Sequence, residues 1–202
     1  PQARVGELCQ IVIESSGKIV LAEVVGLRDS VVQLAPYTET EGIEVGNPVI
    51  GLGRSLEIAV SDRLLGRVLY GTGTPIDGLG EIGSGVYYPI FNTPPNSLSR
   101  APITEQIETG IRAIDGLVAT GKGQRLGIFS GSGVGKSTLI GMIARNTAAD
   151  VNVIAMIGER GREVREFLEN DLGPEGLARS VVVVSSSYSP ALFRLRAAYW
   201  AT

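Results

Sequence analysis

The sequence predicts a small, closed β-barrel over residues 1–61, followed by an α/β parallel-sheet domain over 62–202. Three observations carry that reading. Before residue 60 the chain runs in short alternating stretches separated by turn residues. After residue 103 helical periodicity alternates with apolar runs, the pattern of a parallel sheet covered by helices. Between one such run and its helix lies a glycine-rich loop that ends in Lys136 and Ser137. The chain holds 27 glycines in 202 residues, about twice the usual share, and they cluster at turns, in one long connection and around that loop.

In order along the chain, Cys9, Ile11 and Ile13 alternate with residues of the opposite face, and Ser16 and Gly17 make a turn. Further strands are expected at 18–25, 30–35, 47–51 and 55–60. Turn spacing of about 8–12 residues favours closure, which leaves no sheet edge open. Residues 71–102 differ: eleven of them are Gly or Pro, which forbids a long helix. So long a connection is expected to pack along the surface of the second domain. Ile103, Ile107, Ile111 and Ile114 then share one face of an expected helix that ends near Asp115 and Gly116. A buried strand is expected at 125–130, a helix at 136–149 and an apolar strand at 151–157. A helix at 163–172 should stop at Gly173 and Pro174. Residues 180–185 contain four consecutive valines and read as a strand buried on both faces. Ser189 and Pro190 look like an N-cap and first position of a last helix.

The run Ser130, Gly131, Ser132, Gly133, Val134, Gly135, Lys136, Ser137, Thr138 fits a phosphate-binding loop, with Ser130 where the pattern has glycine. Glycines let the backbone wrap so that successive N–H groups face phosphate oxygens. The helix N-terminus adds partial positive charge. Lys136 supplies a mobile charge for the β and γ phosphates of ATP, and the Ser137 hydroxyl is placed for Mg²⁺. A second signal, Gly158 through Glu163, follows the expected strand at 151–157 directly. Strand ends of a parallel sheet converge on one edge, where ligands bind. There Glu159 could polarise a water and Arg160 could stabilise transition-state charge. The same residues read equally well as a solvated loop capping the next helix.

Composition excludes several classes. Without histidine, the chain has no Ser–His–Asp or Cys–His catalysis and no His-ligated metal of its own. The single Cys9 cannot form an internal disulfide, which suits a reducing compartment. A net charge of −3 gives no overall attraction to nucleic acid or anionic lipid. No apolar run approaches the roughly 20 residues of a membrane span.

Three motifs in order, Thr109–Gly110–Ile111–Arg112–Ala113–Ile114–Asp115, the loop 131–138 and Gly158–Glu159–Arg160–Gly161–Arg162–Glu163, resemble the rotary ATP synthase catalytic subunits. The wording is closest to the type III secretion and flagellar protein-export ATPases. The resemblance spans the chain and implies an N-terminal barrel joined to a RecA-like nucleotide-binding domain that is incomplete at its C-terminus. It implies ATP and Mg²⁺ at Gly131, Ser132, Gly133, Val134, Gly135, Lys136, Ser137 and Thr138, with Ser137 toward the metal. It implies catalytic roles for Lys136, for Glu159 on the hydrolytic water and for Arg160 near the γ-phosphate. A carboxylate at Glu159 also favours the catalytic over the non-catalytic kind of subunit.

By the same resemblance the protein is cytoplasmic, at most peripheral to a membrane export gate, and works as a homohexamer. Its expected partners are export-apparatus proteins, a regulator or stator, and secreted substrates or their chaperones, with no nucleic acid. The acidic residue of the next strand, the arginine finger and the adenine contacts are expected after Thr202, which leaves a sheet edge open and this piece nearly inactive. Two other readings compete. A nucleotide-binding ring scaffold without turnover fits the isolated piece. A hexameric RNA translocase or terminator fits poorly, because residues 1–60 hold four basic against eight acidic residues and Tyr37 as the one aromatic.

Overall fold

The computed structural model describes residues 3–131 and 133–202. In the N-terminal part, β1 (Leu8–Ile13), β2 (Lys18–Arg28), β3 (Val31–Pro36) and β4 (Val49–Gly51) form an antiparallel sheet in the order β3-β2-β1-β4. Ile11, Ile13, Val20 and Ala22 turn to one side and make a small core. β2 runs past its expected end at residue 25, and a register shift between Val24 and Gly26 adds local twist.

The expected closure takes a barrel-like form without a continuous ladder. Among the described residues β3 and β4 remain the sheet's edges. β5 (Glu57–Val60) leaves that sheet, β6 (Val68–Tyr70) follows, and β7 (Val86–Pro89) returns from the Gly/Pro-rich connection to pair with β5. Gly85 permits this, because a Cβ there would strike the Val60 backbone. The connection also packs on the second domain. Arg67 donates from Nε and Nη2 to the two carboxylate oxygens of Asp77 at 2.7 and 2.9 Å, and Asp77 accepts the Val68 and Leu79 N–H groups.

The second domain is a parallel sheet ordered β10-β11-β6, from β10 (Asn152–Ile157) through β11 (Ser180–Ser185) to β6. Every residue of β11 is buried, as its valine run implies. Val182 and Val184 pack on one side with Ala144 and Phe167. Val181 and Val183 pack on the other with Phe193, Ala197 and Trp200, in a core that continues to Leu8, Tyr37 and Leu56 of the barrel-like part. The two parts thus share apolar contact.

Three expectations are corrected. The helix expected over 103–114 is instead β8 (Gln106–Ile107), the short α1 (Arg112–Leu117) and β9 (Thr120–Gly121), which pairs with β8. Gly110, at φ +75°, lies against Asn146, and this left-handed residue breaks the helical run. The strand expected over 125–130 is irregular, and Phe129 is 95% exposed. A strand needs a ladder partner for its N–H and C=O groups, and among the described residues no strand pairs with this segment. The helix expected over 163–172 divides into α3 (Gly161–Glu166), a π-helical turn (Phe167–Leu172) and α4 (Gly173–Ala178). Gly173, at φ +65°, resets the chain and Pro174 opens a fresh helix instead of ending one. α2 (Lys136–Asn146) and α5 (Ala191–Ala201) stand where helices were expected, α5 one residue later than its Ser189 cap implied.

Candidate active site

The site forms at the N-terminus of α2. Gly133 and Gly135 have φ of +75° and +92°, conformations that disfavour any side chain, and the space where a Cβ would stand is open. Gly135 occupies the N-cap position with no side-chain cap, and the first turn of α2 carries no acidic residue. The first N–H groups of the helix are therefore available to an outside acceptor. Ser132 lies outside the described residues.

A cavity of about 400 Å³ opens over this loop, lined by Gly131, Gly133, Gly135, Lys136, Ser137 and Thr138 on one wall. Glu159, Glu163, Glu166, Phe167 and Asp171 form the other. Glu159 reaches it from the end of β10. Its loop is fixed by two backbone bonds to the chain leaving β11: Gly158 N–H donates to Ser185 C=O at 2.7 Å, and Ser187 N–H donates to Glu159 C=O at 3.1 Å. The helix-capping task falls to Glu163, whose carboxylate accepts the Arg160 backbone N–H at 3.4 Å. Neither the Lys136 ammonium nor the Glu159 carboxylate has an ion-pair partner among the described residues.

The cavity joins Lys136, Ser137 and Glu159 even though the strand expected before the loop is absent. Val134 and Arg160 are not among its lining residues. Val134 is exposed, and the Arg160 guanidinium lies 3.8 Å from the Glu163 carboxylate at the surface. Glu163, Glu166, Phe167 and Asp171 went unread in the sequence. Glu163 and Glu166 stand on α3 and Phe167 and Asp171 on the π turn, and the one hint was Gly141, where a Cβ would strike the Asp171 backbone. A second space of about 240 Å³ continues from Lys136, Ser137 and Glu159 along the open edge of β10, past Val153 and Ala155.

The Thr109–Asp115 motif takes no part in the cavity. The Asp115 carboxylate accepts the Thr109 N–H and hydroxyl at 2.8 and 2.7 Å and the Gly110 N–H at 3.0 Å. These bonds, the hydroxyl's first, hold the Asp115 carboxyl below the usual carboxylate range. The knot sits beside Asn146, at the far end of α2 from Lys136.

The arrangement suits a polyphosphate: a ring of available N–H groups, one mobile cation, one hydroxyl and one unengaged carboxylate. The donor set also fits Mg²⁺, which takes few protein ligands and relies on substrate phosphates. No cluster of three or more acidic, Cys or His side chains among the described residues makes a self-sufficient metal cage.

Comparison with known proteins identifies the family. The beta-barrel domain model of the ATP synthase alpha/beta family matches residues 1–53, and its nucleotide-binding domain model matches 110–202. The chain is 57% identical over its full length to the flagellum-specific ATP synthase of Treponema pallidum, covering 45% of that protein. It is 49% identical over its full length to the type 3 secretion system ATPase of Xanthomonas euvesicatoria, covering 46% of it. The assembled ATPase EscN of the enteropathogenic E. coli type III secretion system superposes on the whole chain with a TM-score of 0.85 at 40% identity, over 48% of EscN. EscN in complex with its central stalk EscO gives 0.89 at 42% identity, over 49%. The chain spans about half the length of the relatives it matches. By its paired barrel and nucleotide-binding domains it belongs to the ATP synthase alpha/beta family.

Proposed function

We propose that the whole protein containing this chain hydrolyses ATP to ADP and phosphate and so energises protein export through a flagellar or injectisome type III secretion system. One observation carries the ATPase reading: the phosphate loop and Glu159, whose carboxylate has no ion-pair partner among the described residues, line one cavity. In this reading the backbone of Gly131–Thr138 cradles the phosphates, and Lys136 neutralises charge on the β and γ groups. Mg²⁺, held by Ser137 Oγ and the phosphates, neutralises further charge when bound. Glu159 orients and polarises a water whose oxygen attacks the γ-phosphorus, while the bond to the β-bridging oxygen breaks and ADP leaves. Arg160, surface-exposed here, approaches the γ-phosphate once nucleotide is bound.

The division at residues 61/62 is proposed as the boundary between the barrel and the motor domain. We propose further a cytoplasmic homohexamer that works with export-apparatus proteins, a regulator or stator, and exported substrates or their chaperones; the assembled EscN and its complex with the central stalk EscO support an oligomer with apparatus partners. Among the described residues no helix is long and apolar enough to cross a membrane. The test is Glu159→Gln in the full-length protein. The amide keeps the shape but polarises water weakly, so phosphate release should fall by on the order of 10²–10⁴. Nucleotide affinity by calorimetry should hold. Parental turnover in this variant overturns the assignment.

A further inference from the structure

The most deeply buried charges lie outside the cavity. Glu23 of β2 is 2% exposed and Arg196 of α5 is 9% exposed, although they stand 173 residues apart. Arg196 Nε donates to Glu23 Oε2 at 2.8 Å, and its Nη2 pairs with Oε1. The Tyr37 hydroxyl donates to Glu23 Oε2 at 2.6 Å. The guanidinium also lies 4.3 Å from the Phe91 ring centroid, and Phe91 packs on Tyr199 with centroids 5.0 Å apart. Packing alone does not call for these charges, since apolar side chains of equal volume serve burial as well or better. A bidentate fork adds geometry: it fixes both the rotation and the axial position of α5.

That geometry leads to the cavity. Arg196 sits about 8 Å along α5 from Ala191, at 1.5 Å per residue. The turn that enters α5 supplies Ser187 N–H to Glu159 C=O, and β11 supplies Ser185 C=O to Gly158 N–H. A helix turned or shifted in register displaces that turn, and with it the loop that presents Glu159. Lys136 and the phosphate loop stand on α2, across the sheet from α5, and bond to none of these groups.

We propose that Glu23, Tyr37 and Arg196 are positioning residues of the hydrolytic site, through which the barrel-like domain sets α5 and thereby the Glu159 loop. The inference rests on the ATPase reading above. It predicts damage to turnover with nucleotide binding spared, a split that a merely structural pair does not produce.

The experiment uses the full-length protein and compares Arg196→Lys with the double variant Glu23→Met/Arg196→Met. Arg196→Lys keeps the charge and loses the fork. It should lower kcat about tenfold, with nucleotide Kd within about twofold of the parent. The double variant removes both charges together and leaves the Tyr37 hydroxyl without its acceptor, so its thermal midpoint should stay close to the parent's, while kcat stays at least about tenfold down. Parental kcat in Arg196→Lys overturns the proposal, as does recovery of kcat together with stability in the double variant. If the double variant fails to fold, Arg196→Lys decides alone. Glu159→Gln runs alongside: parental turnover there means that the ATPase assignment itself has failed, whatever the Arg196 variants do.

Discussion

The two ends of α2 are built on opposite plans. At the C-terminal end the protein answers its own polar groups. Asn152 donates to Ala144 C=O at 2.8 Å, Arg179 to Thr147 C=O at 3.2 Å, and Ala148 N–H to Glu108 C=O at 2.9 Å. Gly110 fits against Asn146 with no room for a side chain. At the N-terminal end Gly133 and Gly135 bend around open space, and the helix has no side-chain cap. The difference locates function. A helix end satisfied by its own chain is scaffold, and one left unsatisfied beside a lysine is capacity to bind an anion.

The largest effect expected at the open end comes from more chain. A second space continues from the cavity along the edge of β10 that has no strand partner among the described residues, and the relatives are about twice as long. A longer chain carrying the acidic residue and arginine finger that the resemblance implies should release phosphate faster than the 202-residue chain, by on the order of 10³ or more. Hydrogen exchange should show new protection at 125–130 and none at Ala148. Equal turnover in the two chains would mean that the site is already complete.

Lys136→Ala should weaken Mg-ATP binding about tenfold to hundredfold, the loss of a charge-assisted contact, with the thermal midpoint unchanged. Calorimetry and melting on one sample check both halves. Gly110→Ala should do the reverse. Alanine at φ +75° against Asn146 should cost about 1–3 kcal/mol of folding stability, and nucleotide affinity of the folded fraction should hold. A matched loss of affinity would show that the two ends are coupled.

The smallest effect concerns the connection. Arg67 holds the Asp77 carboxyl well below the usual carboxylate range. The pair therefore stabilises the fold fully above the unfolded aspartate value of about 3.9, and the contribution is lost as pH falls through the lower folded-state value. Melting curves of the parent and Asp77→Asn should differ by a constant amount from about pH 5 to 7 and converge below about pH 4. A gap that widens on acidification would rule the pair out as its source.

What was legible in the sequence follows from range. The valine run of β11 and the glycine spacing of the loop are local patterns: the first gives a strand buried throughout, and the second gives left-handed residues at Gly133 and Gly135. The strand expected at 125–130 was apolar enough, but a strand exists only beside another, and its own residues do not carry that information. β6 was missed for the converse reason: three residues before a Gly/Pro-rich stretch are too few to show a period, and their place beside β11 is set by distant contacts. Glu159 was read as half catalytic and half cap. The structure gives the cap to Glu163 and leaves Glu159 facing the cavity. Glu23 lies on the β2 face opposite Val20, Ala22 and Val24, a lone charge beside Leu21, and nothing in the local pattern names its partner Arg196 on α5.

The pairing of β6 with β11 also sets a timetable. Val68 meets Val182 across more than a hundred residues of chain. At roughly 5–20 residues per second, a ribosome needs about 6–23 s to make that stretch. Throughout that interval the barrel-like sheet, whose strands all lie before residue 52, can assemble, while the Val68–Tyr70 edge waits for its partner. The nascent protein therefore passes through a stage with a formed N-terminal sheet and an unclaimed apolar strand, the stage at which helper proteins or premature self-association would compete for it.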